Sequence, residues 1–116
     1  MESSNMLTQY IAEEFDRKVI KSQHGFVSYK IIGKEFLIGD MFVERMKRSE
    51  GLGQELGRIC EDLARDSGCS YLSCNVYVDE TRPEFTTRKV RIFIDYGFKV
   101  LRISGSQIIM IKELEK

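Results

Sequence analysis

The chain has 116 residues, 42% of them hydrophobic and 31% charged, and its eighteen basic side chains are matched by eighteen acidic ones. That length supports one domain with a single core, so residues 1–116 are read as one domain. The cancelled charge argues against a nucleic-acid binder, which would show a basic excess, and no apolar run approaches the ~20 residues that span a bilayer.

Three cysteines, Cys60, Cys69 and Cys74, are odd in number and lack metal-ligand spacing, and His24 is the sole histidine. This argues against a metal site, and reduced thiols point to a cytoplasmic protein. The segment Met1-Glu2-Ser3-Ser4-Asn5 has neither a basic nor an apolar stretch of the kind a signal peptide needs.

Taken in order, Asn5 to Ile20 reads as a first helix, with Met6, Leu7, Tyr10, Ile11 and Phe15 forming its apolar stripe and Ser4 or Asn5 as cap. Covering one face of a sheet accounts for it, and it can also wall a substrate cleft. His24-Gly25 ends it, with His24 read as a surface turn residue rather than a base. Phe26 to Ile32 is then a strand, and the two-residue turn Gly33-Lys34 joins it to the next in an antiparallel hairpin.

That next strand, Glu35 to Val43, carries Phe36-Leu37-Ile38 and Met41-Phe42-Val43 on either side of Gly39-Asp40. A glycine inside a strand marks a bulge or a close backbone approach. A charged loop runs from Glu44 to Glu50, and from Gly51 the period changes: Leu52, Leu56, Ile59, Cys60 and Leu63 fall on one helical face. Arg58, Glu61, Asp62 and Arg65 make its solvated face, and Ser67-Gly68 ends the helix, Gly68 being suited to a left-handed cap.

Tyr71 to Val78 alternates, with Leu72, Cys74, Val76 and Val78 on an apolar face and Ser73, Asn75 and Tyr77 on a polar face that can line a cleft. Strand, helix, strand makes a βαβ unit, so these two strands should run parallel with a right-handed crossover. Cys74 falls on the apolar side, as a structural thiol. After the loop Asp79 to Arg82, Pro83 opens a helix bearing Phe85, Lys89, Ile92, Phe93 and Tyr96, closed by Gly97 and Phe98. Val100 to Ile103 and Gln107 to Ile111 flank Ser104-Gly105-Ser106 as a hairpin extending the sheet, and the charged tail Lys112 to Lys116 is expected to fray.

The chemistry concentrates where the strand feeds the glycine turn and helix. A helix N-terminus presents unpaired N–H groups and a positive dipole end, and so accepts anions, phosphates above all. Gly51 and Gly53 let a diphosphate approach the backbone, Arg48 adds a cation, and Ser49 and Gln54 add hydrogen bonds. The pattern is not a P-loop, since no Gly-Lys-Ser/Thr closes it, nor a dinucleotide fingerprint, since the last glycine, Gly57, is misplaced.

Arg48-Ser49-Glu50-Gly51-Leu52-Gly53 fits Arg-x-x-Gly-x-Gly after a strand ending Phe-Val, and this resembles the acyl-CoA signature of the GNAT superfamily of N-acyltransferases. The ending Phe93 to Gly97-Phe98 is similar to that family's Tyr-x-x-x-Gly-Phe, with Phe93 where tyrosine is usual. The resemblance covers roughly Gly33 to Lys112. It implies an α/β fold with a mixed, mostly antiparallel sheet, one splayed parallel strand pair and helices on both faces. It also implies acetyl-CoA (coenzyme A) as the acyl donor, with Met41, Phe42 and Val43 alongside the pantetheine arm and Arg48, Ser49, Glu50, Gly51, Leu52, Gly53 and Gln54 around the diphosphate. The chain is short for this family, and the strand usual before the first helix is not evident. Small domains of this type often form homodimers; no stretch here requires one.

The activity implied is N-acetyl transfer to a primary amine, in a small molecule or a protein, by direct attack in a ternary complex. Phe93 cannot donate the proton that a tyrosine there would, and Thr86 falls near the family's asparagine position. Asn75 stands where many relatives place glutamate, and can hold a water; Tyr77 can donate to a leaving thiolate. These two are the catalytic candidates. Asp40, Glu44 and Glu50 remain as bases, Glu44 and Glu50 reading by default as solvated loop charge, and Tyr96 reads as a packing residue beside the cap. Three other readings stand: a CoA-binding module without catalysis, acting as a regulator or protein partner; more weakly supported, an acyl-CoA thioesterase; and a scaffold with no ligand.

Overall fold

The position of one glycine sets the shape of the sheet. Strand β2 (Gly25–Ile32) pairs antiparallel with β3 (Glu35–Val43), but Val27 faces Met41 while Tyr29 faces Ile38. Gly39 and Asp40 therefore oppose Ser28 alone, which is the β-bulge that a glycine inside the strand led one to expect. The bulge is held by the Asp40 N–H, which donates to Ser28 Oγ at 2.7 Å.

These coordinates come from a computed structural model that describes residues 2–44 and 51–115, apart from the side chains at 2–5, 7, 15 and 52. Helix α1 (Glu2–Phe15) precedes strand β1 (Lys18–Lys21), then β2 and β3. Helix α2 (Leu52–Asp66), strand β4 (Tyr71–Tyr77), helix α3 (Pro83–Asp95) and strands β5 (Lys99–Ser104) and β6 (Gln107–Glu113) complete the order. The six strands lie as β1-β2-β3-β4-β6-β5, and β3–β4 is the parallel pair. The βαβ unit expected from the sequence is thus present. The final hairpin joins the sheet through its second strand, β6 pairing antiparallel with β4.

The first helix is shorter than its periodicity suggested. It stops at Phe15; Asp16 adopts a left-handed φ of 52° and salt-bridges Lys30 at 2.9 Å. Asp tolerates that conformation better than most residues. Lys18 to Lys21 then pair with Phe26 to Tyr29 instead of continuing the helix. A sheet edge with unpaired backbone groups outweighs little more than one further helical turn for a segment containing Val19 and Ile20. Of the expected apolar stripe, Ile11 is buried, whereas Met6 and Tyr10 are exposed.

The core lies between one sheet face and α2. Phe36 and Ile38 of β3, Leu72, Cys74 and Val76 of β4, and Met110 of β6 meet Leu56, Cys60 and Ala64 of α2, with Phe98 closing one side. Ile59, placed on the apolar face by its spacing, is 39% exposed. The alternation in β4 holds except at Ser73, which is buried and donates a hydrogen bond to the Glu35 carboxylate. The tail does not fray where expected: Lys112 lies within β6, bonded to Glu61 and to the Tyr96 carbonyl, and the Leu114 N–H reaches Ser70 O at 3.0 Å.

Burial pushes the thiols of Cys60 and Cys74 up to about 12. An unfolded thiol loses its proton near ~8.5, so above that pH the unfolded state binds fewer protons than the folded one and stability falls. The loss runs from about pH 8.5 toward 12 and approaches ~1.4 kcal/mol per pH unit for each thiol. Urea midpoints between pH 7 and 11 should therefore drop on the alkaline side. A flat profile would mean that both thiols ionise freely in the folded protein. Inert at neutral pH, Cys74 is structural, as its place on the apolar face suggested.

Candidate functional site

The parallel pairing of β3 with β4 ends at Ile38–Cys74, although β3 runs on to Val43 and β4 to Tyr77. It ends where the bulge begins, because the extra residue turns β3 away from its parallel neighbour. A hollow opens on each face of the sheet there, and Ile38 lines both.

The first hollow, about 150 Å³, lies between α2 and the end of α3. Met41 of β3, Gln54 and Gly57 of α2, and Phe93 and Tyr96 line it. At its rim, α2 begins at Gly51, whose φ is 80° and which makes no side-chain cap hydrogen bond. A Cβ on Gly51 would have nothing within 4 Å. The N–H groups of residues 52–54, the first turn, are thus uncapped by a side chain, as an arriving anion requires. A Cβ on Gly53 would lie 2.5 Å from the Tyr96 hydroxyl oxygen, so the tyrosine spans the start of the helix because residue 53 has no side chain.

Tyr96 packs against the core beside the cap, as the sequence implied, and its hydroxyl also reaches the start of α2. Its ring is half-buried with the hydroxyl over Gly53, and burial pushes its pKa up. Phe93 turns to the core, its ring edge-on to Phe98 at 5.2 Å. Thr86, near the family's asparagine position, is committed to structure, its Oγ1 accepting from the Asp79 N–H at 2.8 Å.

The second hollow, about 210 Å³, opens on the α1 side and contains Asn75 and Tyr77, both exposed. Asp40, Ser28 and Arg17 complete its polar lining. Ser73, read with Asn75 and Tyr77 as one polar face, is sealed off against Glu35. Arg17 falls inside the helix that periodicity suggested. The helix break at Asp16 and the pairing of Lys18 with Tyr29 instead bring its guanidinium against the bulge. The adjacent β-branched pair Val19-Ile20 shortly after an aspartate was the available sequence signal.

The remaining candidates spread out. Val43 is half-buried against the core, and Phe42 is 45% exposed, its ring tilted toward Phe26 at 6.0 Å. Arg48, Ser49 and Glu50 lie outside the described residues, as does the Leu52 side chain. Glu44 is held at the far end of the hairpin, its carboxylate 3.1 Å from His24 Nδ1. His24 is correspondingly half-buried and paired. Among the described residues no helix is long and apolar enough to cross a membrane.

No protein-family model matches the chain, and no curated protein matches it in sequence. Solved structures do. The PaiA N-acetyltransferase of Thermoplasma acidophilum, in complex with coenzyme A, superposes with a TM-score of 0.73 at 17% identity, covering 97% of this chain and 71% of that one. Ard1 of Thermoplasma volcanium gives 0.71 at 19%, over 97% and 80% of the two chains. An acetyltransferase of Bacillus subtilis, also in complex with CoA, gives 0.68 at 11%, over 98% and 86%. The six-stranded mixed sheet, its one parallel pair parted at a bulge and its helices on both faces, is the GNAT fold.

Proposed function

We propose that residues 1–116 form a single N-acyltransferase domain, which moves an acetyl group from acetyl-CoA to a primary amine by direct attack in a ternary complex. The observation that carries this reading is the parted β3–β4 pair with a hollow on either face meeting at Ile38. An acyl donor reaching in from the α2 side and an amine from the α1 side would meet there. Several similar structures are acetyltransferases, two of them with coenzyme A bound.

The residues present fit such a donor. Gly51 to Gln54 offer an open helix N-terminus to a diphosphate, and Met41 to Val43 offer the strand that leaves β4. Acetyl-CoA supplies a thioester-activated acyl group: a carbon–nitrogen bond forms to the amine, the carbon–sulfur bond breaks, and a proton passes in net from nitrogen to sulfur. The chain then needs only to position the amine, hold it neutral and supply a proton donor. Asp40 is the carboxylate of the second hollow and can take the amine proton, directly or through a water held by Asn75. Tyr77 and Tyr96 are the hydroxyls on the two sides, and Tyr96 is the proton donor in the first hollow.

A second reading has one specific observation behind it. Phe93 occupies the usual tyrosine position and packs on Phe98, which suits a CoA-binding module that regulates rather than catalyses. Thermal unfolding with acetyl-CoA and desulfo-CoA, followed by an amine screen, separates the readings. A ligand that binds the folded state alone raises the midpoint, by ~2.7 kcal/mol of stabilisation at a hundred times its Kd. A shift with turnover supports the enzyme, a shift without turnover the regulatory module. No shift at millimolar ligand overturns both.

A further inference from the structure

We infer that the acceptor is an amine of about amino-acid size bearing a carboxylate, and that Arg17 is the residue that selects it. This rests on the acyltransferase reading for its chemistry, but its evidence is the second hollow alone. Arg17 is half-buried there. A Cβ on Gly39 would lie 1.8 Å from one guanidinium nitrogen and 3.0 Å from its central carbon, so the group rests on the bare backbone of the bulge. Two features of the fold put it there: the left-handed turn at Asp16, fixed by Lys30, and the absence of a side chain at residue 39.

What sets Arg17 apart is that it lacks a counter-charge while half-buried, whereas the other described arginines without an ion pair, Arg58, Arg88, Arg91 and Arg102, are exposed. Arg65 meets Glu61 and Asp62, and Arg82 meets Asp79. Among the described residues Arg17 makes no ion pair and no side-chain hydrogen bond, although Asp40 lines the same hollow. A guanidinium is a fork of donors that fits a carboxylate in two parallel hydrogen bonds. The hollow thus offers a cation on the bulge and a carboxylate, Asp40, with Asn75 and Tyr77 on the facing strand. A cation and a carboxylate lining one hollow suit a molecule carrying both an amine and a carboxylate. The hollow, about 210 Å³, has room for a group of amino-acid size.

The test compares each free amino acid with its carboxamide and its decarboxylated amine, in the full-length protein with acetyl-CoA. The carboxylate form should be preferred at least ~10-fold in kcat/KM, through KM, because a site built for a polar group rejects an analogue lacking it. Arg17→Met should remove the preference, and Arg17→Lys should keep part of it. Binding is read separately, from thermal midpoints of the protein alone and with desulfo-CoA. A shift produced by an amino acid but not by its carboxamide, and lost in Arg17→Met, supports the inference even if nothing is turned over, and the acyltransferase reading would then fail by itself. Equal behaviour of acid and amide, a preference that survives Arg17→Met, or no response to any free amino acid overturns it.

Discussion

Gly53→Val should weaken coenzyme A binding by ~100-fold or more, close to 3 kcal/mol, while the protein stays folded. The first Cβ added at residue 53 would stand 2.5 Å from the Tyr96 hydroxyl oxygen, and a valine adds two methyl groups beyond it. The Tyr96 ring also lies 3.7 Å from where a Cβ on Gly57 would be, which limits the ways it can retreat along α2. Either the tyrosine is driven into the first hollow or the opening turn of α2 shifts, and both block the approach of a diphosphate to the first-turn N–H groups. Valine is at least as good a helix former as glycine, so circular dichroism should be unchanged. Calorimetric titration of CoA into both proteins reads the difference. Equal affinity would place the diphosphate away from Gly51 to Gln54.

The second large effect concerns stability. Phe36→Ala should cost ~3–5 kcal/mol, a substantial part of the ~5–15 kcal/mol that holds a domain together. Phe36 is fully buried, stacks on Tyr29 at 4.7 Å with 11° between the rings, and faces Leu72 across the parallel pair. Its neighbours belong to strands held by backbone ladders on both sides, so they cannot close around the void. It stands on β3 two residues before the pairing with β4 ends, so the variant should also loosen the bulge. Urea unfolding followed by circular dichroism checks the cost. A loss under ~1 kcal/mol would show that the core refills the gap, against the rigidity argued from the sheet.

Between Gly33 and Ser106 the sequence was readable because its signals there are local. Alternation marks β4, a 3.6-residue period marks α2, and Gly68 and Gly97 take the left-handed conformations that their places at helix ends implied. Gly39 marked the bulge. The main misreadings turn on partners far away in the chain. Lys18 to Lys21 continue a helical pattern yet pair with β2; Ser73 alternates outward yet is buried by Glu35; Lys112 sits in a charged tail yet is pinned by Glu61, fifty-one residues earlier. Tyr96, one turn beyond the family's tyrosine position, does pack beside the cap, but no sequence spacing reveals that its hydroxyl spans Gly53.

By itself, then, the sequence determined the order of elements from β2 onward, the βαβ unit with its glycine turn, the strand glycine at the bulge and the apolar faces that meet in the core. Those features follow from torsional preference and side-chain periodicity, which act within a few residues. The tertiary structure alone decided the strand order β1-β2-β3-β4-β6-β5, the point at which β3 and β4 part, and the gathering of Arg17, Asp40, Asn75 and Tyr77 in one hollow. These depend on hydrogen-bond register between distant segments. A strand's side-chain pattern fixes which face is buried, but leaves open which neighbour it pairs with and where the pairing stops.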